Sequence, residues 1–178
     1  MSRRILALAL GAILALAAVV PALAGEAPRN ATLKSVGKVT FKANRFIKDS
    51  MRFNHDSVAM RSGGTLTIAD TSRQPHTLSL VKRSDLPGNL RQMDRCFGPG
   101  PCDEIAVDHG AVNPETGEEQ DPTVLLVNKG PDGFNQPGDS VVIAPGKKAK
   151  VKVTAARGKS LYYLCAIHPW MQGRLDVE

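Results

Sequence analysis

Cys165, His168 and Met171 set a thiol, an imidazole and a thioether at three-residue intervals near the end of a 178-residue chain. Soft sulfur donors beside an imidazole suit copper, whereas magnesium and calcium want hard oxygen donors. A trigonal copper site with a weak axial Met needs a second imidazole, which must come from elsewhere in the chain. His76 meets that need, since it follows Arg73-Gln74-Pro75 and opens the strand-like run Thr77-Leu78-Ser79-Leu80-Val81. A His at a strand end is more often structural than a ligand, and the downstream Cys, His and Met reverse that weighting. His55, in Asn54-His55-Asp56, and His109, in Asp108-His109-Gly110, have no soft donor beside them and are expected at the surface.

The C-x-x-H-x-x-M spacing, with Pro169 directly after the His and Gly173 two residues after the Met, resembles the ligand loop of the type 1 (blue) copper proteins. These form the cupredoxin superfamily of plastocyanin and azurin, and the short loop here is most similar to the amicyanin and pseudoazurin kind. Pro75-His76 followed by alternating residues resembles the upstream ligand of the same superfamily. The likeness runs over roughly residues 35 to 178 and is strongest at the two ligand stretches. It implies a Greek-key β-sandwich, and one type 1 copper per chain on His76, Cys165, His168 and Met171. It also implies a monomer that carries single electrons between redox protein donors and acceptors. Pro169 and the lone Trp170 are expected beside His168 on a partner-docking patch; the other reading of Trp170 is core filling. Thr77 stands where many members carry Asn, and its hydroxyl is expected to replace part of that hydrogen bonding.

The elements that must hold these donors read as strands. Thr65-Leu66-Thr67-Ile68-Ala69-Asp70 alternates polar and apolar, the period-two pattern of a half-buried strand. Lys148, Lys150 and Lys152 alternate with apolar residues and are expected on one solvated face. Val36 to Phe41, Phe46-Ile47, Phe53 to Met60, Thr123 to Val127, Ser140 to Ile143 and Ser160 to Leu164 add further strand-like runs bounded by Gly and Pro. No stretch beyond the first 24 residues holds apolar residues at helical spacing over three turns. Roughly seven or more short strands argue for an antiparallel sandwich or barrel. Residues 82–122 break the pattern and are expected to form a long excursion with at most one short helix. Cys96 and Cys102 flank Phe97-Gly98-Pro99-Gly100-Pro101, a turn-forming stretch that can bring the two sulfurs together in an oxidising compartment. Cys165 is then left over, as a metal ligand would be.

Residues 1–24 read as a cleaved export signal: Arg3 and Arg4, an apolar run from Ile5 to Val20, and Ala22-Leu23-Ala24 before Gly25. A retained membrane anchor is the alternative. Residues 25–34 are expected to be an extended mature N-terminus, and 35–178 the copper-binding domain, in the periplasm or outside the cell. Loss of Arg3 and Arg4 takes the formal charge from +6 to +4, a modest excess that favours partners with acidic surfaces. The basic residues are scattered and not interleaved with aromatics, so nucleic acid is not an expected partner. An enzyme is not expected, because nothing orients a Cys165–His168 pair or supplies an oxyanion site. The competing function is copper delivery or storage, weakened by the absence of Met-rich or His-rich tracts.

Overall fold

The computed structural model describes residues 26–178, so the expected export signal at 1–24 lies outside the described residues. Among the described residues, twelve strands are arranged as two packed sheets and one hairpin. The first sheet takes β1 (Ala31–Val36), β4 (Arg52–Phe53), β6 (Thr65–Asp70) and β10 (Lys148–Lys152) in the order β10-β6-β1-β4. The second takes β5 (Ser57–Met60), β7 (His76–Val81), β8 (Leu126–Val127), β9 (Ser140–Ile143), β11 (Ser160–Leu164) and β12 (Gln172–Val177) in the order β5-β12-β11-β7-β9-β8. This is a Greek-key β-sandwich, antiparallel except where β1 pairs with β6 and β5 with β12. The hairpin of β2 (Val39–Lys42) and β3 (Phe46–Asp49) stands outside both sheets, with Phe41 and Ile47 exposed.

Alternation along each strand builds the core. Leu33, Leu66, Ile68 and Val151 from the first sheet meet Leu78, Leu80, Ile143, Tyr163 and Leu175 from the second in one buried cluster. On β10 the intervening Lys148, Lys150 and Lys152 are exposed, as their alternation requires. Several expected strands change in detail: the run from Val36 to Phe41 is split between β1 and β2, and that from Thr123 to Val127 keeps only Leu126–Val127 as β8. The first strand begins at Ala31 rather than near Ser35, because residues 31–35 pair with β6. The run from Phe53 to Met60 is two strands, β4 and β5, that belong to different sheets.

The excursion is more ordered than its sequence implies. It contains a short 3₁₀ turn at Arg83–Asp85 and two helices, α1 (Leu90–Phe97) and α2 (Pro101–Asp108). Asn89 caps α1 by accepting from the Gln92 N–H at 3.1 Å. Pro101 opens α2, and Asp103 and Glu104 lie in its first turn, against the positive end of the helix dipole. The Cys96–Cys102 disulfide joins the two helices. Cys96, Cys102 and Ile105 then pack with Val81, Leu164 and Ala166 in a second buried cluster. The excursion thus covers the outer face of the second sheet. That cover explains why β7 is buried at all six positions although its sequence alternates.

Candidate metal centre

β7 and β11 are joined in register, with Leu164 opposite Ser79, so the chain leaves β11 at Cys165 beside the start of β7 at His76. The next six residues form a tight turn. The Cys165 N–H donates to the Met171 carbonyl at 2.9 Å, the His168 N–H to the Cys165 carbonyl at 3.2 Å, and the Met171 N–H to the His168 carbonyl at 2.7 Å. These bonds return His168 to the thiol. Cys165 Sγ lies 3.7 Å from Nδ1 of His76 and 3.7 Å from Nδ1 of His168, and the three donor atoms lie within 4.8 Å of one another. Met171 is buried in the same cluster as Cys165.

The surroundings fix the tautomer of His76. Ser72 Oγ donates its single proton to Asp70 Oδ1 at 2.7 Å, so the contact at 2.7 Å between Ser72 Oγ and His76 Nε2 must be donated by the ring. Nε2 therefore carries the proton and Nδ1 keeps a free lone pair facing Cys165. Asp70 is itself buried, which works against its charge. The Gly146 N–H, the Ser72 hydroxyl and N–H, and the Ser35 hydroxyl outweigh this and hold its carboxyl at about 2. It remains an anion behind His76, with Oδ1 3.6 Å from Nε2.

Burial and the nearby His168 bring the pKa of His76 down to about 4, against the pull of Asp70 and Asp49. Burial also lowers His168, against Asp49. Both rings are neutral at pH 7, the form that ligates metals. Burial pushes the Cys165 thiol up, opposed by N–H donors from Thr77, His168 and Ile167. A fully enclosed thiolate needs a cation beside it, and two neutral imidazoles with no anionic ligand leave that charge to a metal. The residues present therefore fit copper: one soft thiol, two imidazoles and a buried thioether in the same loop.

The structure brings together His76, Cys165 and His168 and places Met171 beside them in the core. Trp170 is exposed, its Nε1–H donates to the Met51 carbonyl at 3.1 Å, and its ring meets His168 edge-on at 5.3 Å. Pro169, expected beside it on the outer patch, is buried, and Ile167 is exposed instead. The tight turn through His168 and Met171 tucks the proline inward. Cys96 and Cys102 are bonded to each other, and Cys165 is the free cysteine among the described residues. His55 is exposed as expected. His109 is buried, contrary to expectation, because the excursion folds it against β9, where Ser140 Oγ is 2.7 Å from its Nε2. Ser72 and Asp70, which hold His76 from behind, are not singled out by residue type or spacing. The signal for them is Asp70-Thr71-Ser72-Arg73, a turn-forming sequence just before His76.

Solved structures resemble the chain only at low sequence identity. The purple cupredoxin from Nitrosopumilus maritimus shares 13% identity and a TM-score of 0.42, over 83% of this chain and 99% of that one. Auracyanin A from Chloroflexus aurantiacus, a "blue" copper protein, shares 17% and 0.39, over 84% and 99%. Amicyanin from Paracoccus versutus shares 12% and 0.40, over 84% and 81%. These solved structures are cupredoxins. No protein-family model matches the chain, and no curated protein does. The metal assignment therefore rests on the donor set of this chain, a His, Cys, His group that fits a single type 1 copper ion. Among the described residues, no helix is long and apolar enough to cross a membrane.

Proposed function

We propose that this chain is an exported single-electron carrier holding one copper on His76, Cys165, His168 and Met171. The observation that carries this reading is the meeting of two imidazole Nδ1 atoms and one thiol Sγ within 4.8 Å in a buried pocket. In this reading His76 and His168 would hold the copper through Nδ1, Cys165 through its thiolate and Met171 through its thioether. Bound copper would supply the one-electron couple.

The protein's part is to hold the donors still. His76 is locked by Ser72 and by pairing with Ile143 on β9. Cys165 is locked by the Thr77 N–H at 3.3 Å and by the turn bonds to Met171 and His168. Donors anchored on sheet strands and one closed turn need little rearrangement when the charge at the site changes, which keeps electron exchange fast. Full burial of the thiol keeps water and other reactants away. His168 lies nearest the surface, 9% exposed between the exposed Ile167 and Trp170. We assign this edge as the place where a redox partner docks, with the basic excess favouring partners with acidic surfaces. A site with four protein donors leaves no open position for a substrate, which supports a carrier rather than an enzyme.

The test is the visible absorption of the chain loaded with Cu(II), with Cys165→Ser as control. The expected result is an intense thiolate-to-copper band that ascorbate bleaches, that air or ferricyanide restores without adding metal, and that the control lacks. Copper binding with no such band, or a band that survives in Cys165→Ser, would overturn the ligand assignment. Release of the metal on reduction would instead favour copper delivery or storage.

A further inference from the structure

The hairpin of β2 and β3 leaves the sandwich and buries nothing of its own. Every residue from Lys38 to Lys48 is exposed. That run includes Val39 and Phe46, each about half exposed, and Phe41 and Ile47, which are 71% and 72% exposed. Single apolar residues on a surface are ordinary, whereas large ones gathered on one short ribbon mark an interaction surface. A two-stranded hairpin alone is marginally stable in water, so this one depends on its base. There the Ser50 N–H and hydroxyl both donate to the Lys38 carbonyl, at 3.1 and 2.8 Å, and the Lys38 N–H donates to Ser50 Oγ at 3.1 Å.

The pairing register decides what each face of the ribbon carries. Phe41 lies opposite Ile47 and Val39 opposite Asp49, so these four share one face. Phe46 lies opposite Lys42, and Lys48 opposite Thr40, on the other. Apolar side chains thus project from both faces. Lys38, Lys42, Arg45 and Lys48 are interleaved with them, and no acidic residue falls between Lys38 and Lys48. A flat protein surface would cover one face of such a ribbon and leave the other wet. A second copy pairing along an outer edge would set these cations against one another. A lipid surface surrounds the ribbon instead, takes apolar groups from both faces and meets the positive charges with phosphates.

We propose that the β2–β3 ribbon docks this protein on an anionic phospholipid surface, with Phe41, Phe46 and Ile47 among the headgroups and upper acyl chains and Lys42, Arg45 and Lys48 on the phosphates. The ribbon has only two strands. Its outer edges carry backbone N–H and C=O groups without strand partners, so it stops at the interface and does not enter the hydrocarbon. Its base adjoins the edge of the metal centre: Met51, just beyond β3, accepts from Trp170 Nε1 at 3.1 Å, and the Trp170 ring meets His168 at 5.3 Å. Under the copper reading, docking keeps the His168 edge near the bilayer, where a membrane-held redox partner would meet it. The docking itself needs no metal, so it stands or falls apart from that reading.

The experiment is sedimentation of the full chain with vesicles of phosphatidylcholine alone and of phosphatidylcholine with phosphatidylglycerol. Binding is expected to favour the anionic vesicles and to weaken in about 1 M salt, which screens the charges. Lys42→Gln with Lys48→Gln should weaken it about 25-fold, from about fivefold for each cation. Phe41→Ser with Ile47→Ser should weaken it about tenfold or more. Both pairs lie outside the buried core, so the denaturation midpoint and, with copper bound, the thiolate band should not move. Equal binding to the two kinds of vesicle, or binding that neither pair of changes weakens, would overturn the proposal.

Phe41→Trp gives a second reading that is specific to the ribbon, whatever else in the chain meets lipid. Its emission should be quenched by brominated phospholipid in anionic vesicles beyond the quenching of Trp170 in the unaltered protein. No added quenching would overturn the proposal, as would a dimer in solution that Phe41→Ser with Ile47→Ser abolishes, which would give the ribbon to a second copy. Absence of the thiolate band in the unaltered protein would overturn the copper reading and leave the docking untouched.

Discussion

At the residue scale, the site depends on groups that never touch a metal. Ser72 makes His76 present Nδ1 rather than Nε2, and it does so because its own proton is committed to Asp70. Ser72→Ala should leave the fold intact and weaken copper affinity by about tenfold or more, in the range seen when partners of metal-bound histidines are removed. Competition with a chromogenic chelator measures this, and unchanged affinity would show that packing alone sets the ring. His168 has no equivalent constraint among these bonds and relies on the turn from Cys165 to Met171. The two imidazoles are therefore held by different means, one by a side-chain relay and the other by main-chain geometry.

At the element scale, the ligand turn has to close between two paired strands, and Gly173 lets it do so. It lies opposite Tyr163 in the β11–β12 pair. A Cβ there would come within 2.5 Å of the Tyr163 hydroxyl oxygen, 2.7 Å of its ring and 2.8 Å of the Asp56 carbonyl. Tyr163 is fully buried against Phe53, ring to ring at 5.3 Å, and cannot swing aside. Gly173→Ala should destabilise the fold by about 1–3 kcal/mol through overpacking, read as a lower denaturation midpoint with an unchanged slope. Wild-type stability in this variant would mean that β12 can shift without cost. The same strands show where local pattern was sufficient. The alternation of β10 could be read directly, because its Lys face is solvated, and that of β6 because Leu66 and Ile68 are buried between half-buried threonines. β7 could not, because its Thr77 and Ser79 face a cover that is distant in sequence.

At the scale of the whole molecule, Asp70 ties separate parts of the chain together. It accepts from Ser35 on β1, from Ser72 and Arg73 in the loop before β7, and from Gly146 between β9 and β10. Its carboxyl is held at about 2, below the ordinary 3.8. A depressed acid contributes stability above its unfolded pKa and loses it as pH falls through its folded pKa. The contribution should thus be complete above about pH 4 and should disappear on the way down to about pH 2. The shift corresponds to roughly 2 kcal/mol. Denaturant unfolding between pH 2 and 5 should show this loss in the original protein and not in Asp70→Asn. Equal pH slopes for the two would remove Asp70 from the account.

Residue types and short-range pattern were enough to single out the candidate donors and to argue for a sandwich. Ligand chemistry is written in side-chain type and short spacing, as in Cys165, His168 and Met171, and half-buried strands are written in alternation, as in β6 and β10. The burial of His109, the inward turn of Pro169 and the capping of the outer face of the second sheet by the excursion come from long-range packing. Those outcomes depend on packing between residues far apart in the chain: α2 against β7 and β9, and Ala166 against the disulfide-linked helices. Hydrogen-bond partners chosen at that distance, such as Ser140 beside His109, leave no local pattern and meet only once the chain has folded.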